Sequence, residues 1–161
     1  MGNIEVVIET PKGSAQKYDY DPKTHFFKMS KILPSGMVFP YDFGFIPDTK
    51  GEDGDPLDVI VLSEFKSFPG VMIKCRIIGG IKAEQSADEG KKMIRNDRFL
   101  AVPKCSNIFE KIKSTDDLPQ RTMDDLEEFF VDYNKLEGKK FKALAKMEPR
   151  MVQRLIDKNK S

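Results

Sequence analysis

Three carboxylates, Asp53, Asp55 and Asp58, stand immediately before the apolar run Val59-Ile60-Val61-Leu62. Like charges this close repel one another unless cations or hydrogen bonds offset them, and a divalent metal is the economical offset. Alternation in an extended segment turns Asp53 and Asp55 the same way, Pro56 stiffens the chain, and Gly54 lets the backbone pass close to an ion. Oxygen-only donors select Mg²⁺, Mn²⁺ or Ca²⁺. A solvated turn is the plain alternative, because Asp and Gly are ordinary turn residues. A calcium-binding loop opened by Asp53 would place Glu64 at its last ligand position. Asp58 then stands where that loop needs glycine, and a β-branched run follows where a helix should begin.

Other residues add the parts that phosphoryl transfer to water requires. Lys17 and Lys31 fall in neighbouring candidate strands, Asp88 and Asp97 in a long connection, and Arg98 directly after it. Acids that hold metal beside cations that hold phosphate are the recurring equipment of that chemistry. A nucleotide phosphate loop is absent, since Gly138-Lys139-Lys140 has neither the preceding glycine nor the following Ser or Thr, which argues against ATP as substrate. His25 is the one histidine and falls in a turn-like segment, so a zinc site is hard to build. Cys75 and Cys105 lie in strand-like surroundings without redox or zinc spacing and read as buried thiols.

The elements that must position these groups are β first and helical last. Residues 4–9, 16–20, 26–32, 58–62, 71–81 and 98–102 are short, β-branched or aromatic, and bounded by Pro, Gly or Asp. Short strands in series suggest a small barrel, and Gly79-Gly80 inside an apolar run marks a bulge or bend where a sheet curls. After Pro119 the period changes. Met123, Leu126, Phe129, Phe130 and Tyr133 share one helical face, with Asp124, Asp125, Glu127 and Glu128 away from it and near the positive helix start, and Gly138 is the expected stop. Residues 141–147 read as a further strand, and Val152, Leu155 and Ile156 as the stripe of a terminal helix. The long connections, 33–57 and 83–97, are where function is expected.

Composition narrows the class. The chain has 161 residues, enough to bury one core, and nothing in it marks a linker or repeat, so residues 1–161 read as a single domain. Lys and Arg number 27 against 26 Asp and Glu, so no global field attracts nucleic acid or an anionic membrane. No apolar run of ~18 residues could span a bilayer. The N-terminal residues predict no secretory signal, which makes the cytoplasm the expected location.

The segment Asp53-Gly54-Asp55-Pro56-Leu57-Asp58-Val59 resembles the signature of the family I soluble inorganic pyrophosphatases. The resemblance extends in order to Val6-Val7-Ile8-Glu9-Thr10-Pro11, Gln16-Lys17-Tyr18-Asp19, Phe39-Pro40-Tyr41-Asp42-Phe43-Gly44-Phe45-Ile46, Ala101-Val102-Pro103 and Phe129-Phe130-Val131-Asp132-Tyr133. It implies an α+β, mainly β fold: a five-stranded OB-like barrel flanked by two helices of the C-terminal region. It also implies Mg²⁺-dependent hydrolysis of pyrophosphate to two phosphates and a symmetric homo-oligomer. Carried over by position, Asp53, Asp58 and Asp88 hold metal, Glu9 completes the acidic pocket, and Asp55 is the candidate base. Lys17, Lys31 and Arg98 hold the phosphoryl groups, and the Tyr133 hydroxyl reaches the leaving phosphate.

Several residues depart from that pattern. Phe39 and Phe43 stand where Tyr is usual, removing two hydroxyls that would each be worth about 1.5–3 kcal/mol if bonded to a charged group. Lys31 replaces Arg and Asp19 replaces Glu, with charge kept in both. An ungapped count from Ala101-Val102-Pro103 puts Asn96 where a metal-binding Asp belongs, so Asp97 is expected to serve after a one-residue shift. Asn134 stands where Lys is usual, which makes Lys135 the expected contact to substrate. Two competing readings are a binding protein that has lost turnover and an OB-like nucleic-acid binder, which the balanced charge disfavours.

Overall fold

A computed structural model describes residues 2–86 and 92–161. The strands are β1 (Asn3–Thr10), β2 (Gln16–Asp21), β3 (Phe26–Ile32), β4 (Asp42–Phe45), β5 (Asp58–Val61), β6 (Met72–Ser86), β7 (Met93–Arg95), β8 (Arg98–Pro103) and β9 (Phe141–Met147). Two helices follow the barrel strands, α1 (Gln120–Leu136) and α2 (Pro149–Lys158), with a 3₁₀ turn at Thr115–Asp117 before α1. The pairing order β1-β4-β5-β8-β6 closes back on β1, a ring of five strands; β7 and β9 extend β6 beyond it, and β2–β3 form a separate hairpin. The expected OB-like barrel with two late helices is thus the fold.

Period-two alternation builds the ring. In β1, Ile4, Val6, Ile8 and Thr10 point inward while Glu5, Val7 and Glu9 point out. The same parity splits β5 and β8. Val59, Val61, Phe99 and Ala101 join Ile4, Val6, Ile8 and Ile77 inside the barrel, with Val152 and Ile156 of α2 in the same core. Ile60, Leu62, Leu100 and Val102 pack outside, under Met123, Leu126 and Phe130 of α1. Being covered on both faces, β8 is buried from end to end.

Some boundaries differ from expectation. β4 lies inside the expected long connection, where Asp42-Phe43-Gly44-Phe45 is too short to reveal a period. β6 runs on to Ser86 because Gly79-Gly80 is a bulge within the strand: the register against β8 slips between Ile77 and Gly79. The first turn of α1 carries no acid, so Asp124 and Asp125 do not serve the helix start as expected. Gly138 does end α1, at φ +71°. Cys75 is buried, with its thiol pushed up to about 12 by burial, whereas Cys105 is exposed, contrary to expectation. Glu64 is tied to the far side of the barrel, accepting from Ser106 Oγ at 2.6 Å and Asn107 N–H at 2.8 Å, which removes it from any calcium loop around Asp53.

Candidate active site

The acidic segment is a tight turn and not the extended stretch its alternation suggested. Gly51 N–H donates to Asp55 O at 2.8 Å, Gly54 N–H to Gly51 O at 3.1 Å, and Asp55 N–H to the Asp53 carboxylate at 3.0 Å. Gly54 sits at φ +87°, which explains the glycine there. The turn delivers the chain to β5, whose first residue is Asp58.

Strand register decides what Asp58 meets. β5 and β8 run parallel with Val59 opposite Phe99, so Asp58 and Arg98 start the two strands side by side on the outer face. Arg98 Nη1 lies 3.4 Å from Asp58 Oδ2, and its guanidinium centre stands 4.8 Å from the Phe130 ring and 5.6 Å from that of Phe141. Arg98 is 9% accessible at its side chain, whereas Asp58 keeps 40%, so the carboxylate is the more open of the two and the guanidinium is held in a fixed position behind it.

The β2–β3 hairpin supplies the facing cations. Lys17 and Lys31 are cross-strand partners, an arrangement that destabilises a hairpin unless anions offset it. Lys17 pairs with Asp19, and Lys31 Nζ lies 2.5 Å from Glu137 and 3.3 Å from Tyr133 Oη. Thr10 and Tyr18 exchange hydrogen bonds at 3.0 and 3.1 Å, and Tyr20 N–H donates to Glu9 at 2.9 Å, which docks the hairpin on β1 beside the acids. Phe39 is buried among Phe43, Phe129 and Tyr133, with ring centres 4.9–5.7 Å away, so both Phe-for-Tyr departures fall in one aromatic wall.

The charges perceive one another as a single cluster. Burial pushes the Glu9 carboxyl up to about 7, against the pull of the Tyr20 N–H and Lys17 and with Asp19 and Asp58 adding to the rise. Burial also raises Asp55, with Asp53 next, and raises Asp58 despite Arg98. Tyr133 is driven well above the usual phenol range, by burial first and then by Glu137, so its hydroxyl stays a donor.

Because Glu9 is held above its ordinary 4.5, its protonated form favours the fold: that stability is present below about pH 4.5 and is lost as pH rises through about 7. In EDTA, stability is therefore expected to fall by about 3 kcal/mol across that window. Glu9→Gln should flatten the slope in urea unfolding; an unchanged slope in the variant would refute the assignment.

Not every expected residue joins the cluster. Asp88 lies outside the described residues. Asp97 Oδ1 accepts from Arg95 Nε at 2.6 Å and Ala83 N–H at 3.0 Å, and Asp97 lines the same cavity as Asp53 and Asp58 without a hydrogen-bond contact to Asp53. Asn96 takes that contact, its Nδ2 donating to Asp53 Oδ2 at 3.2 Å. Lys135 is exposed two residues beyond buried Tyr133, about 200° round the helix, and is not brought to the cluster. Lys139, past the Gly138 turn, is near enough to lower Asp55. Gln85, unmarked in the sequence because an amide at a strand end carries no signal, accepts from Arg98 Nη2 at 2.8 Å.

Comparison with known proteins agrees with this geometry. The family model described as inorganic pyrophosphatase matches residues 6–160. The inorganic pyrophosphatase of Halalkalibacterium halodurans is 37% identical over 96% of this chain and 91% of its own. That of Leifsonia xyli is 41% identical over 88% and 83%. The solved inorganic pyrophosphatase of Coxiella burnetii superposes with a TM-score of 0.88 at 32% identity, covering 98% of this chain and 92% of its own. That of Thermus thermophilus gives 0.88 at 30% identity, over 96% and 87%.

Proposed function

The chain belongs to the inorganic pyrophosphatase family, and we propose on that premise how its own residues divide the hydrolysis of inorganic pyrophosphate to two orthophosphates. The observation that carries the reading is the interleaving of both signs on one face: Lys17 opposite Lys31, and Asp58 beside Arg98. Pyrophosphate, densely anionic, replaces Asp19 and Glu137 as the partner of the two lysines, while Arg98 binds oxygens from a fixed, stacked position. Tyr133 Oη donates to the departing phosphate, with Lys31 at 3.3 Å to hold it in place. Asp55 accepts the proton of the attacking water, aided by surroundings that lift its pKa toward the working range.

Mg²⁺ is the cofactor of this reading. Among the described residues no three carboxylates, imidazoles or thiols form a ready cage. Mg²⁺ is usually bound through one or two carboxylates plus substrate phosphates. Asp53 and Asp58 would hold it, with Glu9 completing the pocket and Asp88 joining on resemblance; Asp97 is left to anchor Arg95. When bound, Mg²⁺ polarises phosphoryl oxygens and acidifies water.

The same reading makes the protein a cytoplasmic homo-oligomer. Among the described residues no helix is long and apolar enough to cross a membrane, and exposed Phe26, Phe65, Phe68 and Met72 offer apolar surface for contact between copies. The purified protein should release two phosphates per pyrophosphate in Mg²⁺ and none in EDTA; no release from the unmodified chain in Mg²⁺ would end the reading.

A further inference from the structure

We propose that Glu137 is an internal competitor for Lys31: its carboxylate takes the ammonium when the site is empty, gives way to an arriving phosphoryl group, and recaptures the lysine as orthophosphate leaves. This rests on the pyrophosphatase reading and concerns how firmly the site keeps its product. Lys31 Nζ lies 2.5 Å from Glu137 Oε2 and 3.3 Å from Tyr133 Oη. Two of the three ammonium donors are thus engaged. The Tyr133 contact can persist beside a bound phosphate, because a hydroxyl carries no charge. The Glu137 contact cannot do so without cost, since carboxylate and phosphoryl oxygens are like charges drawn to one cation.

Position argues against a purely structural pair. Glu137 stands at the C-terminal end of α1, where the helix dipole favours cations over anions, and Lys31 of β3 is the cation that offsets it. The hairpin has other means of staying docked. Thr10 and Tyr18 exchange hydrogen bonds, Tyr20 N–H donates to Glu9, and Leu33, just past β3, packs with Phe39 and Tyr133. Lys17 differs, because its partner Asp19 lies two residues along the same strand and moves with it. Glu137 comes from another element and also acts on Tyr133, whose hydroxyl it helps, after burial, to keep protonated. One carboxylate therefore faces both groups assigned to the departing phosphate. Removing its charge at constant shape takes a charged hydrogen bond from the empty state only, so orthophosphate should be held more tightly.

The test is calorimetric titration of orthophosphate, in Mg²⁺, into the unmodified chain, Glu137→Gln, Lys31→Met and the double variant. Glu137→Gln should bind orthophosphate about tenfold more tightly than the unmodified chain. Tightening of less than threefold would overturn the proposal, and weaker binding would show that the pair merely braces the hairpin. In the Lys31→Met background the same change should add less than threefold, or restore no binding if Lys31→Met has none. A larger gain there would mean that the carboxylate acts through its general field and not through Lys31, which also overturns the proposal. So would an absence of binding in both the unmodified chain and Glu137→Gln, since Lys31 would then hold no phosphate. Far-ultraviolet circular dichroism checks folding, and if Glu137→Gln does not fold, Glu137→Ala carries the same criteria. Phosphate release from pyrophosphate by the unmodified chain is measured separately: its absence ends the functional reading, whereas the orthophosphate titrations decide the role of Glu137.

Discussion

Asp55→Asn is expected to lower phosphate release from Mg²⁺-pyrophosphate by about 10²–10⁴-fold, with stability changed by no more than about 0.5 kcal/mol. Main-chain bonds hold the turn that carries Asp55: Gly51 N–H reaches its carbonyl at 2.8 Å, and its own N–H reaches Asp53 at 3.0 Å. An Asn in its place keeps both bonds and nearly the same volume. What disappears is a proton acceptor whose pKa is raised by burial and by the Asp53 and Asp19 charges, while Lys17 and Lys139 restrain the rise. A neutral amide cannot take a proton from water at any ordinary pH. Asp58→Asn should also slow release, but by another route. It removes a candidate metal ligand and leaves the buried Arg98 without its 3.4 Å partner, so the Mg²⁺ concentration needed for half-maximal rate should rise. Excess Mg²⁺ should therefore recover part of the Asp58→Asn rate and none of the Asp55→Asn rate. An Asp55→Asn protein within threefold of the unmodified rate would remove the base assignment.

The parts of this site that were legible in sequence are those with a local signature. Alternation in β1 announces both the core-facing Ile4, Val6 and Ile8 and the outward Glu9, and the lysines of β2 and β3 fall on neighbouring strands by simple hairpin logic. The acidic turn is recognisable by residue type, although its shape is not, because the Asp53–Asp55 hydrogen bond closes a turn where alternation suggested extension. The partnership of Asp58 with Arg98 follows from parallel pairing of strands far apart in the chain, which no local window contains. At the β7–β8 corner Arg95 and the Ala83 N–H hold one oxygen of Asp97 while Asn96 faces Asp53, and the contacts to Ala83 and Asp53 join distant segments that no local window contains either. The resemblance points to Lys135, one place after Asn134, whereas Lys135 is exposed on α1 and Lys139, past the Gly138 turn at φ +71°, is the lysine near enough to act on Asp55.

The bulge in β6 is the place where a single methyl group should do most damage to the fold. Gly79 lies at φ +143°, outside the range an L side chain adopts comfortably, and it lies where the β6–β8 register slips. A Cβ there would stand 2.6 Å from the Met147 carbonyl oxygen and 2.9 Å from Thr115 Cγ2. Neither neighbour is the free end of a long side chain. Met147 O belongs to β9, which is hydrogen-bonded to β6 itself, and Thr115 is buried at the start of the 3₁₀ turn that leads into α1. Relief must come from parting β6 and β9 or lifting the turn, so strain and overpacking add. Gly79→Ala is expected to cost about 3–5 kcal/mol, a large share of the roughly 5–15 kcal/mol that holds a typical domain folded. Gly36→Ala supplies the comparison, since Gly36 also has positive φ, +89°, yet nothing lies within 4 Å of the point where its added methyl would stand. That variant should lose only about 1 kcal/mol. Equal shifts of the two urea midpoints would show that backbone conformation alone, and not the closeness of β9, makes Gly79 necessary. The larger loss at Gly79 should also reach the site, because the strand beyond the bulge carries Gln85 to Arg98. Even at temperatures where Gly79→Ala remains folded, its phosphate release should therefore fall below that of Gly36→Ala.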